Sequence, residues 1–280
     1  MIKSIFVGFQ QTFQHKKVIT LLYVINLLMA LVLAVPFFWT IKKLGGDSME
    51  IAKLLPDFDD TVFSDFMHQA GASRQNYLWQ GLWLALFSVV ISAFLAGGIL
   101  EFLKNKNVFS LQEFFGNCGK HFRQFFWLTL VKGVVMLIIG IVYVFLVAGA
   151  ISTLKGEVNQ FMGFGVVSLL MGLLVLLPIL ATDYAQIALV NDNSLTIKQA
   201  LGTGWSFTIK RFFKVIFLEI ILLAIFALFA WCYWLLENTI GMNQALGILV
   251  VILIQQVFIW LKMAWRVWTY AAEIELFIHY

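Results

Sequence analysis

The sequence predicts an all-α, polytopic membrane protein of six transmembrane helices in three helical-hairpin repeats, and three observations predict it. Of its 280 residues, 61% are hydrophobic and only 12% charged, a balance with too few charges to cover a soluble surface. Six apolar runs reach the roughly 18 residues that a spanning helix needs: Val18 to Trp39, Tyr77 to Leu100, Phe125 to Ala150, Phe161 to Thr182, Phe212 to Leu236 and Gln244 to about Tyr270. The segments before runs one, three and five carry the same apolar stripe at helical spacing, the mark of an internal repeat.

The first stripe is Ile2, Ile5, Phe6, Phe9 and Phe13, on a helix expected to lie in the headgroup plane with its apolar face down. The run behind it is span-length and follows a polar helix rather than a short basic region, so it is expected to stay in the mature protein. The connection 40–76 is expected outside the cytoplasm, with short amphipathic helices at "SMEIAKLL" and "TVFSDFMHQ". Asp60 caps the second and Gly71 ends it. Asp57, Asp59, Asp60 and Asp65 lack the glycine and final glutamate of a Ca²⁺-binding loop, and are read as helix starts.

Before span three the stripe returns as Leu111, Phe114, Phe115, Cys118, Phe122 and Phe125; before span five it is Leu201, Trp205, Ile209 and Phe212. In that last copy "NDNSLTIKQ" places a helix start at Asn193 or Ser194, with Gln199, Thr203, Ser206 and Lys210 on the polar side. Offsets of 109 and 87 residues make Phe13, Phe122 and Ile209 equivalent. The single six-span domain, 1–280, then divides into repeats 1–100, 101–183 and 184–280, each an interfacial helix, a span, an outer loop and a returning span. Pro36 and Pro178 fall inside spans, where a kink serves packing.

Of the 19 Lys and Arg residues, thirteen fall on the side of the termini, five on the other, and Lys132 lies within a span. That asymmetry puts both termini in the cytoplasm of a cell whose inner, plasma membrane the chain spans. The net charge of +4 reflects the same bias and calls for no nucleic acid. Its expected partners are anionic lipid headgroups, each nearby basic residue contributing about 1 kcal/mol, and a membrane protein or a second copy of the chain. Cys118 and Cys232 are expected near opposite faces of the membrane, too far apart to pair.

The run "DYAQIALVNDNSLTIKQALGTGWSFTIKRFF" resembles the linker before the fifth span in a bacterial family of six-span proteins. That family is related to the membrane domain preceding the catalytic domain of some glycerophosphodiester phosphodiesterases. The resemblance covers about 30 residues: Asp183 ending span four, the polar "NDNS", Trp205 with Ser206 in the order Trp-Ser, and the basic-aromatic "KRFF". It implies a bacterial inner-membrane protein of this fold. The catalytic domain is not expected in this chain, and no activity is implied.

Polar residues inside spans are the first place to look for function, because a charge at the bilayer centre costs roughly 3 kcal/mol or more unless it is paired or hydrated. Lys132 and Glu219 occupy equivalent positions at the offset of 87, span one has Tyr23 and Asn26 there, and span six adds Gln255, Gln256 and Lys262. Either Lys132 and Glu219 form a buried ion pair that sets repeat packing, or they line a hydrated cavity open to the cytoplasm. His15, His68, His121 and His279 are all expected outside the membrane core. Glu275 and His279, four apart, are read as a solvated helix end. With no cofactor, metal or nucleophile motif, the chain is expected to be a non-enzymatic scaffold or accessory subunit in bacterial envelope or lipid homeostasis. The alternative is a transporter or lipid-handling protein using a cavity around Lys132 and Glu219.

Overall fold

The computed structural model describes residues 2–45, 71–105, 109–240 and 245–279, together with residues 60, 61, 64 and 68. It is all α, with no strand among the described residues. In chain order the helices are α1 (Ile2–Gln14), α2 (Lys16–Gly45), α3 (Ala72–Asn105), α4 (Leu111–Thr153), α5 (Glu157–Asn191), α6 (Ile197–Lys210), α7 (Phe212–Ile240) and α8 (Ala245–Ile278). Six of them, all but α1 and α6, are long and apolar enough to cross a membrane, so the chain is a multi-pass membrane protein. Their outward side chains fit that medium: Leu137, Phe145, Phe161 and Leu246 are 63%, 74%, 76% and 76% exposed. Hydrocarbon removes the roughly 1.5–3 kcal/mol that each would cost in water.

Two elements depart from the sequence reading. Helices α2 and α3 take up both ends of the 40–76 connection. The remainder, including "SMEIAKLL", Asp57, Asp59, Asp65 and most of "TVFSDFMHQ", lies outside the described residues. Gly71 does take the left-handed backbone of a helix end, with φ 47° and its N–H donating to the His68 carbonyl at 3.2 Å. Helix α4 is the larger departure. The stripe segment and span three form one helix of 43 residues, about 65 Å at 1.5 Å per residue. The α4 helix runs on through "FRQFFWLTLVK", whereas α1 and α2 part at His15 and α6 and α7 at Arg211, and none of the three junctions holds a proline or glycine.

The chain forms two compact units, one of residues 1–7, 92–219 and 270–280, the other of residues 8–91 and 220–269. In the first, Ile99, Phe114, Phe125, Tyr184, Leu189 and Leu218 are fully or almost fully buried, together with Leu276. Two helix crossings there are too close for a side chain. A Cβ on Gly204 of α6 would meet the carbonyl of Ala181 and, at 2.6 Å, the amide nitrogen of Ala185; one on Gly98 of α3 would meet the Cys118 sulfur and the Phe114 ring. In the second unit, the Trp265 indole donates to the Leu222 carbonyl at 3.3 Å, and Trp260 donates to Thr20 at 3.3 Å. Rings add the pairs Phe226–Trp265 and Tyr233–Phe258, with centroids 4.7 and 4.6 Å apart.

Candidate functional site

Helix α6 begins at Thr196, not at Asn193 or Ser194. Thr196 and Gln199 form a capping box: the Thr196 backbone N–H donates to Gln199 Oε1 at 2.9 Å, and the Gln199 N–H donates to Thr196 Oγ1 at 3.4 Å. The spacing T-x-x-Q is a sequence signal for this, and it outcompetes the upstream polar turn. That turn has its own lock, with Asp192 Oδ1 accepting from the Ser194 N–H at 2.9 Å and from its hydroxyl at 2.6 Å. Those bonds hold the Asp192 carboxyl below the usual range.

The helical wheel of α6 has three faces rather than two. Ala200, Gly204 and Thr208 are buried, the last donating to the Gly204 carbonyl at 2.8 Å. Trp205 and Ile209 stay 45% and 57% exposed, Leu201 is half-buried, and Thr203 is exposed on the polar side. Helix α1 repeats the arrangement: Ser4, Gly8 and Thr12 are buried, and Thr12 donates to the Gly8 carbonyl at the same 2.8 Å. There Phe9 is exposed and Phe13 half-buried, with the Phe9 ring 5.1 Å from Trp268. The stripe on α4 is different. Phe114 and Cys118 are buried inside the first unit and Phe122 packs on Phe94, leaving Leu111 and Phe115 exposed.

The polar residues expected in one layer divide into separate groups. No ion pair joins Lys132 to Glu219. Lys132 Nζ lies 3.9 Å from Asp183 Oδ1 on α5, both half-buried. The carboxyl of Glu219 on α7 instead lies within hydrogen-bonding reach of that of Glu273 on α8. Glu219 Oε1 and Glu273 Oε2 are buried without a donor, as are the Tyr184 hydroxyl and Gln186 Oε1 without partners. The Tyr184 ring is held by Phe207 of α6 and Phe277 of α8, with centroids 4.6 and 6.2 Å away. Glu219 therefore meets a like group, which the repeat could not reveal, because the offset of 87 relates equivalent positions and says nothing of which residues touch.

In the second unit Tyr23 donates to Gln256 Oε1 at 2.8 Å, while Asn26, Gln255 and Lys262 are exposed. An apolar cavity of about 40 Å³ there is lined by Phe9, Phe13, Phe226, Phe258, Trp265 and Trp268. It has room for little more than a water-sized group.

His121, expected outside the membrane core, is packed inside the protein and 1% exposed. Its Nε2 meets Glu101 Oε2 at 3.0 Å, and Glu101 Oε1 accepts from Lys120 at 3.4 Å and Asn105 at 3.3 Å. Position sets this burial: His121 lies on the α4 face of Phe114, Cys118 and Phe125, the face that meets Gly97 and Gly98. Glu275 and His279 lie 3.9 Å apart at the end of α8, where the histidine is exposed but the glutamate is only 17% exposed rather than solvated. Glu101, Gln186 and Glu273 went unremarked in the sequence, yet a signal existed. "LEFL" and "AQIAL" each place one long polar side chain at the end of a returning span and "AEIEL" places two, of which Glu101, Gln186 and Glu273 are buried.

Set against models of known protein families, against characterised proteins and against solved structures, the chain matches none.

Proposed function

We propose that this chain is a non-enzymatic scaffold or accessory subunit of the bacterial inner membrane, acting in envelope or lipid homeostasis. In this reading both termini are cytoplasmic and three hairpin repeats are each led by an amphipathic collar segment. The carrying observation is the docking of α6. One face, Ala200–Gly204–Thr208, is pressed on α5, while Trp205 and Ile209 remain exposed beside it. A helix anchored on one side with an aromatic-aliphatic stripe on another suits the headgroup plane. The repeat is supported by the matching Ser4–Gly8–Thr12 stripe of α1 and its identical threonine bond. Kinship with the membrane domain of glycerophosphodiester phosphodiesterases belongs to the same proposal and rests on the "DYAQ…KRFF" linker.

One observation favours the second reading, a transporter or lipid-handling protein: the carboxyl-rich cluster of Asp183, Glu219 and Glu273 beside Lys132. Complementation separates the two. In a strain lacking the chain, the scaffold reading expects Trp205→Ser/Ile209→Ser to fail in restoring envelope integrity, and Lys132→Met to succeed. The opposite pattern supports transport. Topology is tested by cysteines introduced at the exposed Ser152 and Ser194, with Cys232 replaced by serine. An impermeant thiol reagent outside intact cells should label the first and spare the second, and the reverse pattern ends the cytoplasmic-termini reading.

A further inference from the structure

Two buried glutamates at the ends of returning helices have opposite surroundings. Glu101 of α3 accepts from Lys120 and Asn105 and meets the His121 ring. Glu273 of α8 is 1% exposed, and the group within hydrogen-bonding reach is another carboxyl, that of Glu219. Around this pair the charged and titratable groups are Lys132 from α4 and Asp183 and Tyr184 from α5. The Lys132 ammonium lies 3.9 Å from Asp183, the third carboxyl of the cluster. Independently, the Tyr184 hydroxyl is 0% exposed, has no partner, and interacts with the same three carboxyls.

Two ionised carboxylates within hydrogen-bonding reach, each with a buried oxygen that has no donor, repel each other and lose part of their hydration. A proton between them removes the repulsion and turns the contact into a hydrogen bond. Among the described residues, no three His, Cys, Asp or Glu side chains are disposed to hold a metal ion. We propose that Glu219 and Glu273 form a proton-binding site, one proton held between their carboxyl groups, with the buried, unpartnered Tyr184 hydroxyl in their electrostatic field. The site names the ion that a transporter built on this cluster would couple to. It rests on the cluster's geometry rather than on transport, so a failed complementation test and a failed proton test are separate results.

The experiment is infrared spectroscopy of the full chain in phosphatidylcholine–phosphatidylglycerol bilayers at neutral pH. The expected result is a protonated-carboxyl stretch that shifts in heavy water and on ¹³C labelling of glutamate side-chain carboxyls. It should be lost in both Glu219→Gln and Glu273→Gln and kept in the exposed-site control Glu157→Gln. Tyr184→Phe should move the band without removing it. Absence of the band from the parent protein, insensitivity to glutamate labelling, or survival in either glutamine variant overturns the proposal. So does a missing band with thermal stability that rises in sodium or potassium chloride but not in choline chloride, since an alkali cation would then balance the charge. If neither glutamine variant folds, the parent band and its glutamate isotope shift still decide.

Discussion

Adding one methyl group at Gly204 should damage the protein, and adding the same group two residues earlier should not. An alanine Cβ at 204 would stand 2.6 Å from the Ala185 amide nitrogen, 3.0 Å from its Cβ, and against the Ala181 carbonyl. Most of these are backbone atoms of α5 and cannot swing aside, so α6 must lift. Overpacking of this kind costs about 1–3 kcal/mol, and more when backbone has to move. Helix propensity returns at most about 1 kcal/mol for glycine to alanine, leaving a net loss of about 1–2 kcal/mol. At Gly202 nothing lies within 4 Å of the added Cβ, so Gly202→Ala shows only the propensity gain, about 0.5–1 kcal/mol. The two variants should therefore differ by about 1.5–3 kcal/mol in equilibrium unfolding in mixed micelles. Equal stabilities, or a stabilised Gly204→Ala, would refute the docking of α6 on α5.

Three further outcomes follow from the polar contacts. His121→Leu should cost about 1–3 kcal/mol by removing the 3.0 Å partner of buried Glu101, and Glu101→Gln in the same chain should recover part of it, read as coupling in a double-mutant unfolding cycle. Lys132→Met and Asp183→Asn should couple by no more than about 1 kcal/mol, because at 3.9 Å their pair is long and both side chains keep some exposure, 27% and 17%; Lys132 with Glu219 should couple less, and the reverse ranking would restore the buried pair that was one of the two sequence expectations. The Asp192 carboxyl is held low by Ser194, so its contribution to the α5–α6 turn is present above the usual carboxylate pKa and lost as pH falls through the folded value. Hydrogen exchange at the Ser194 amide, corrected for intrinsic rates, should lose protection on acidification, and Asp192→Asn should remove that pH dependence.

What the sequence determined by itself was whatever depends on runs and periods. Six helices of spanning length follow from apolar length, because no other backbone arrangement within one segment satisfies every N–H and C=O in hydrocarbon. The exposed stripe of Trp205 and Ile209 follows from the 3.6-residue period. Even the start of α6 was legible in T-x-x-Q, although the louder "NDNS" turn masked it. Tertiary structure alone decided which polar residues meet. Lys132 turned to Asp183, Glu219 to Glu273, and His121 into a packed core beside Glu101. The small-residue face of α6 was equally out of reach, since Ala200, Gly204 and Thr208 look inert on a wheel until another backbone comes within contact of them. Periodicity records which face of a helix is apolar, but the partner of a buried charge is set by crossing positions between segments far apart in the chain. Those positions are fixed by packing, for which one helix's own pattern carries no coordinate.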